Sequence, residues 1–473
     1  MDAAAKLPSG LLQGKKTWVG SYDECVNALS PANNLTGHQI GGKYCMGATA
    51  IGIPGQYLMQ GVCVPNTCTA LDLNIWVAEI YSFLKEPDQT GMACEESMPY
   101  TAGAKAALAV CGVIVMLVTI GTIVDLVVTF NERRQKSSNS YVILVEDNET
   151  MGRTSVLSNE TSSSGQIQSQ RLNPPQPNRG KICQVAVAFS IVTNTRKLLS
   201  TSTSSGHLTS LNGMRVLSMF WIILGHTYLF ASLGMTVENS LAAVKIIQRF
   251  SFQAIINATV SVDTFFFMSG LLVTYLYLKN RQESTDSFNW VLFYFHRYWR
   301  LTPVYAFCIM IWGSLFFHTL RGPMAVWRST PQTQALINEC SKSWWANILY
   351  INNYYPYSGD INQQCMGWSW YLANDMQFYI ISPIILILLY RYRKIGFAVC
   401  GGLIGACIFI RAMTAFEFGI HVPNQAVTKH KDNYYGQHAP LYNKMYTRIA
   451  PYIVGMLLGY ALHKTNCRVR MSK

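Results

Sequence analysis

Charge is scarce in this chain of 473 residues: only 13% are Asp, Glu, Lys or Arg, while half are apolar. That balance, with a positive mean hydropathy, suits a protein that crosses a bilayer several times. Acidic residues are the scarcer sign, 24 against 37 Lys and Arg, which gives a net charge of +13. The excess does not imply a nucleic-acid partner, because the basic residues sit just outside apolar segments and not within any nucleic-acid-binding motif. No Walker loop, GxGxxG or metal-ligand spacing occurs, so nothing points to a nucleotide hydrolase, a metalloenzyme or a bound metal. No secretory signal is legible in the opening residues either, where Met1 leads straight into DAAAKLPSG.

What is present are seven candidate spans, at roughly 104–130, 212–233, 257–278, 301–318, 369–390, 396–412 and 448–463. The last two are the shortest. Basic flanks orient them: NERRQK after the first, KNR after the third, HRYWR before the fourth, RYRK between the fifth and sixth, and HKTNCRVRMSK at the end. All five fall on the cytoplasmic side if the N-terminus lies outside. The fold class expected is therefore an all-α polytopic membrane helix bundle of about seven spans, preceded by a small disulfide-rich external domain.

Cys25, Cys45, Cys63, Cys68 and Cys94 crowd the first hundred residues, as in an oxidised lumenal or extracellular domain. Asn34-Leu35-Thr36 adds a glycosylation sequon there. Five is odd, so either a sixth cysteine and a signal precede this segment or Cys68 is free. Cys340 and Cys365 bracket the loop between the fourth and fifth spans, where a bridge would hold an aromatic-rich cap. Cys111, Cys308, Cys400 and Cys407 read as packing residues. The domains expected are 1–100 (external, cysteine-rich), 101–130 (first transmembrane helix), 131–205 (cytoplasmic linker, largely disordered) and 206–473 (membrane domain). The apolar run within Lys181–Leu199 is too short to span and suits an interfacial helix. Sequons at Asn148 and Asn159 should stay unmodified on the cytoplasmic side.

Ionisable groups within the spans are costly and hence candidates for function. Arg215 and His226 lie eleven residues apart in LNGMRVLSMFWIILGHTYL, on one helix face and roughly 16 Å apart along the axis. Asp263 (SVDTFFFMSG) and Asp375 (WSWYLANDMQFY) are expected at the depth of His226, where a carboxylate could orient the imidazole for acid–base work. Arg297 and Arg300 in YFHRYWRLTP would join Arg215 in an opposite, cationic layer suited to phosphate oxygens. The competing reading is a polar network that locks helices together, with arginines that merely anchor the chain.

These motifs, with KLPSGLLQGKKTWVGSYDEC, GKYC, VDTFFFMSGLLVTYLYLK, CSKSWWANILYINNYYP, CMGWSWYLANDMQFYIISP and YTRIAPYIVGMLLGY, resemble the nose-resistant-to-fluoxetine family of the acyltransferase type 3 superfamily. The superfamily's Arg-x10-His falls on Arg215 and His226, and its Arg-x-x-Arg on Arg297 and Arg300. The resemblance implies transfer of an acyl group from cytoplasmic acyl-CoA to an external hydroxyl, borne by a lipid, sterol or glycan. His226 would be the base or transient acyl carrier, with Arg215, Arg297 and Arg300 holding the donor; the span reading adds Asp263 to orient His226 and Asp375 as a lesser member of the site. Acyl-CoA, membrane lipids and that acceptor are the partners implied, in the plasma membrane or endoplasmic reticulum. A lipid or small-hydrophobe transporter without catalysis is the alternative, and a seven-span receptor fits the buried Arg–His spacing poorly. The superfamily domain has about ten spans, so the chain is expected to lack three or four C-terminal helices and the start of its external domain.

Overall fold

The structure, a computed structural model, describes residues 3–4, 15–31, 39–50, 57–81, 91–149, 180–202, 208–233, 245–283, 288–356, 364–417 and 441–467. Its contacts divide the chain into two units, 1–101 with 208–473, and 102–207.

The first hundred residues carry a small sheet that composition alone did not reveal. Strands β1 (Thr17–Trp18), β2 (Gly42–Ala50), β3 (Tyr57–Pro65) and β4 (Gly91–Cys94) lie in the order β1-β3-β2-β4, with helices α1 (Tyr22–Asn27) and α2 (Ala70–Tyr81) alongside. Strands β2 and β3 pair antiparallel from Gly42↔Pro65 to Ala50↔Tyr57. Two disulfides replace the apolar core that so short a segment cannot supply: Cys25–Cys63 ties α1 to β3, and Cys45–Cys94 ties β2 to β4. Cys68 is unpaired among the described residues. Tyr44 is buried at the centre and its hydroxyl donates to the Val19 carbonyl at 2.7 Å. Burial pushes its phenol up to about 12. The Asn34 sequon lies outside the described residues.

The same unit continues as a multi-pass helical membrane bundle: α6 (Ser210–Leu233), α7 (Ser261–Glu283), α8 (Trp290–Ser314), α9 (Pro331–Ile348), α10 (Trp370–Arg391), α11 (Arg393–Glu417) and α12 (Met445–Lys464). Helix α9 was not foreseen. Thr330 caps it by accepting from the Thr333 amide, with Pro331 opening its first turn. It also carries Cys340, whose bridge to Cys365 forms as expected.

Among the described residues, five helical segments are long and apolar enough to cross a membrane: 102–134, 210–231, 250–283, 367–391 and 393–417. The other two expected spans are helices as well, α8 and α12, but are diluted by polar residues. Only residues 301–314 of α8 lie beyond Arg300, and α12 carries Arg448, His463 and Lys464.

Helices α7 and α12 form the tightest pair. A Cβ on Gly270 would strike the Tyr452 carbonyl, one on Gly455 the Phe267 carbonyl, and one on Gly459 the Leu271 carbonyl. Small residues let the backbones touch, which is how helices associate where no water drives them together. Around this seam Phe266, Phe378, Leu386, Leu389, Tyr452, Ile453 and Met456 make the main core. Cys400 and Cys407 join it, whereas Cys308 is exposed. Pro383 inside α10 has no N–H for the Tyr379 carbonyl, and Ser382 Oγ donates to that oxygen instead at 2.7 Å.

In the second unit α3 (Ala102–Glu149) covers the expected first span and runs on past residue 130, where the linker was expected to begin. Most of the remaining linker, with the completion of the Asn148 sequon and all of the Asn159 sequon, lies outside the described residues. The Lys181–Leu199 segment forms two short helices rather than one, α4 (Lys181–Ala188) and α5 (Ile191–Leu198). Ser190 breaks them apart, caps α5, and with Thr193 donates to the buried carboxylate of Asp125 on α3 at 2.6 Å each.

Candidate functional site

His226 and Arg215 both lie on α6, and both are exposed on the bundle. Next to His226, Gly225 lets α6 close onto the turn before α7, where a Cβ would collide with Ala258. Trp221 Nε1 donates to the Ala254 carbonyl at 2.6 Å and holds the same approach. His226 Nδ1 lies 2.8 Å from the Ile222 carbonyl one turn earlier. A carbonyl only accepts, so Nδ1 carries the hydrogen and Nε2 of the neutral ring keeps its lone pair. The ring stacks on Phe230 at 5.8 Å. The tautomer is thus set by the helix's own backbone, not by a carboxylate.

Asp263 was expected to orient His226, and the structure gives it a different partner. Both of its oxygens accept from Arg448 Nη1 of α12, at 3.0 and 3.1 Å. Arg448 is itself enclosed: its guanidinium lies over the rings of Tyr442 (4.3 Å) and Trp370 (5.7 Å), and its Nε donates to the Tyr442 carbonyl. A carboxylate at this depth needs a strong, charged donor, and the Arg448 guanidinium supplies it. Arg448 was missed because it opens the last apolar run and read as its edge.

Asp375 likewise pairs with arginine. It accepts from Arg297 of α8 and, at 2.8 Å, from Ser269 of α7. Arg297 sits 4.2 Å over the Tyr379 ring. The expected separation into an outer layer of carboxylates and an inner layer of arginines therefore fails at Arg297 and Asp375. Two ion pairs between helices replace it, because unpaired charges in a low-dielectric interior are too costly to keep apart. Arg297 Nε is buried and has no hydrogen-bond partner among the described residues. Arg300, three residues on from Arg297, is exposed and, like Arg215, makes no ion pair among the described residues.

Beside these pairs lies a layer of amides. Asn347 donates to Tyr305, Ser369 and the Cys365 carbonyl, and Asn353 donates to Asn374 and Gln377. Lys444 donates to the Asn353 carbonyl, and burial pushes its ammonium down.

Helix directions place His226, the Asp263–Arg448 pair and the amide layer toward one end of the bundle. The end of α6 meets the turn before α7, Phe266 near the start of α7 stacks on Tyr371 near the start of α10, and Trp312 near the end of α8 meets Trp368 before α10. The N-terminal domain is at that end too. Val326, between α8 and α9, packs into its core with Tyr44 and Met46, and Arg328 pairs with Glu95 at 3.3 Å.

Residues 208–468 match the family profile described as "Acyltransferase domain", and residues 1–77 match that of the "Nose resistant-to-fluoxetine protein, N-terminal domain". The chain is 27% identical to nose resistant to fluoxetine protein 6 of Caenorhabditis elegans, over 99% of this chain and 59% of that protein. It is 25% identical to a regulator of hypoxia-inducible factor 1 from the same organism, over 59% of this chain and 56% of the relative. A Staphylococcus aureus protein designated by name alone as an O-acetyltransferase is 28% identical over 46% of this chain and 32% of its own length. The chain thus spans less than two thirds of the length of these relatives. No solved structure matches it.

Proposed function

The chain belongs to the nose-resistant-to-fluoxetine family and carries its acyltransferase domain, and from that premise we propose that it moves an acyl group from acyl-CoA to an acceptor hydroxyl across the membrane. In this reading the basic flanks face the cytoplasm, and the end bearing the N-terminal domain and His226 faces the lumen or exterior.

The observation that carries the proposal is the state of His226. With Nδ1–H committed to the Ile222 carbonyl, Nε2 is the free base, at the end where an external acceptor would arrive. It takes the proton of the acceptor hydroxyl as that oxygen attacks the thioester carbonyl. A C–O bond forms, the C–S bond breaks, and coenzyme A leaves as the thiolate, to which the imidazolium returns the proton. Arg215 and Arg300 hold the phosphates, as exposed guanidiniums without ion-pair partners can. The roughly 16 Å between Arg215 and His226 suits the pantetheine arm. Arg297 serves the donor through its remaining Nε while Asp375 steadies it. Asp263 acts as a positioning residue through Arg448.

The full chain in proteoliposomes should consume acyl-CoA with formation of an acylated acceptor, and His226→Ala should slow this by about 10²–10⁴-fold. Equal turnover by His226→Ala refutes the base assignment. Uptake of a hydrophobic substrate without acyl-CoA consumption would favour transport instead.

A further inference from the structure

Where the N-terminal domain meets the segment between α8 and α9 there is an open cavity of about 650 Å³, a size suited to a small molecule. The ion pair of Arg328 with Glu95 closes one side, with the Tyr22 hydroxyl donating to the same carboxylate at 2.6 Å. Beyond that pair the charged lining is Lys43 and Arg321 against Glu96. A simple anion would meet Glu96 and a simple cation would meet Lys43 and Arg321, so a ligand bearing both charges fits best.

The rest of the lining supplies a surface for the cationic half. Tyr100 and His318 lie parallel, with centroids 4.5 Å apart and planes 9° apart, and Tyr100 is half exposed. An aromatic face attracts alkylammonium groups. The position of His318 along the chain suits the height of lipid headgroups. His318 follows the end of α8 at Ser314 by one turn, beside Trp312, Phe316 and Trp368, rings of the kind that gather at a membrane boundary.

We propose that this cavity binds a phosphoalkylammonium group, with its phosphate on Lys43 and Arg321 and its ammonium between Glu96 and the Tyr100–His318 wall. The site does not depend on acyl transfer, and the test below does not use it. The source of the group is either a bilayer phospholipid or a soluble phosphodiester.

Calorimetry on the full chain in a phosphate-free maltoside micelle, titrated with glycerophosphocholine, glycerol phosphate, choline or inorganic phosphate, tests it. Glycerophosphocholine should bind at least about tenfold more tightly than the other three. Arg321→Gln and Glu96→Gln should each weaken it by about tenfold or more with the melting temperature unchanged, since both side chains are exposed. Repeating the titration in nanodiscs separates the sources. If phosphatidylcholine discs abolish the signal and phosphatidylglycerol discs keep it, the bilayer is the donor; a signal in both makes the ligand soluble, and either result supports the site. Glycerophosphocholine binding no tighter than phosphate or choline, or equally tight in both variants, overturns it.

Discussion

Asp263 and Arg448, 185 residues apart in the chain, are joined by two hydrogen bonds between α7 and α12. Their side chains are 19% and 5% exposed, so each neutralises a charge that neither helix could carry alone. The pair clamps the seam where Gly270, Gly455 and Gly459 bring the two backbones together.

Removing one partner strands the other. Asp263→Asn or Arg448→Met should each cost about 3–5 kcal/mol, and the double variant should recover much of the loss. Thermal unfolding in detergent measures it, and additive losses in the double variant would deny the coupling.

The glycine seam has no room for a side chain. Gly455→Leu would drive methyl groups into the Phe267 carbonyl and should cost about 1–3 kcal/mol or more, whereas Gly213→Leu, facing open space, should cost far less. Equal melting temperatures for the two variants would show that the helices are not closely packed.

The two arginines of the Arg-x-x-Arg motif should separate in experiment. Arg297→Gln unpairs Asp375 and should lower the melting temperature. Arg300→Gln should leave it unchanged and raise the KM for acyl-CoA about tenfold. The reverse pattern would contradict the division of roles.

Cys340–Cys365 closes a loop of 25 residues, so Cys340→Ser with Cys365→Ser should cost about 3 kcal/mol. Thermal unfolding of oxidised wild type and of the double serine variant should give that difference in stability, while reduced wild type, which also loses Cys25–Cys63 and Cys45–Cys94, should fall below the variant.

The N-terminal domain should weaken in alkali. Tyr22 and Tyr44 are both pushed up to about 12, chiefly by burial and, for Tyr22, by its hydrogen bond to the Glu95 carboxylate. A phenol whose folded value exceeds its unfolded value of about 10 favours the fold fully below that pH, and the benefit is lost as pH rises toward 12. Tyrosinate absorbance against unfolding should show the two events together; titration near 10 in the intact fold would disprove the burial argument.

Much of the architecture was readable because a bilayer demands long apolar helices and basic flanks. The Cys340–Cys365 bridge was legible from its placement around a single loop. The four-stranded sheet was not, since strands held by disulfides need no alternating apolar pattern. Helix α9 was hidden because Gln, Asn, Glu and Ser dilute its apolar face. At the site, the ionisable residue types were plain, whereas the partners of Asp263 and Asp375 were not.

The amino-acid sequence by itself determined that this protein lives in a membrane, which segments are apolar enough to cross it, and which ionisable side chains travel with them, because the cost of exposing backbone and charge to lipid depends on local composition. Tertiary structure decided which charges meet. Asp263 with Arg448, and Asp375 with Arg297, are contacts between helices far apart in the chain, and their pairing follows from the packing of α7, α8, α10 and α12.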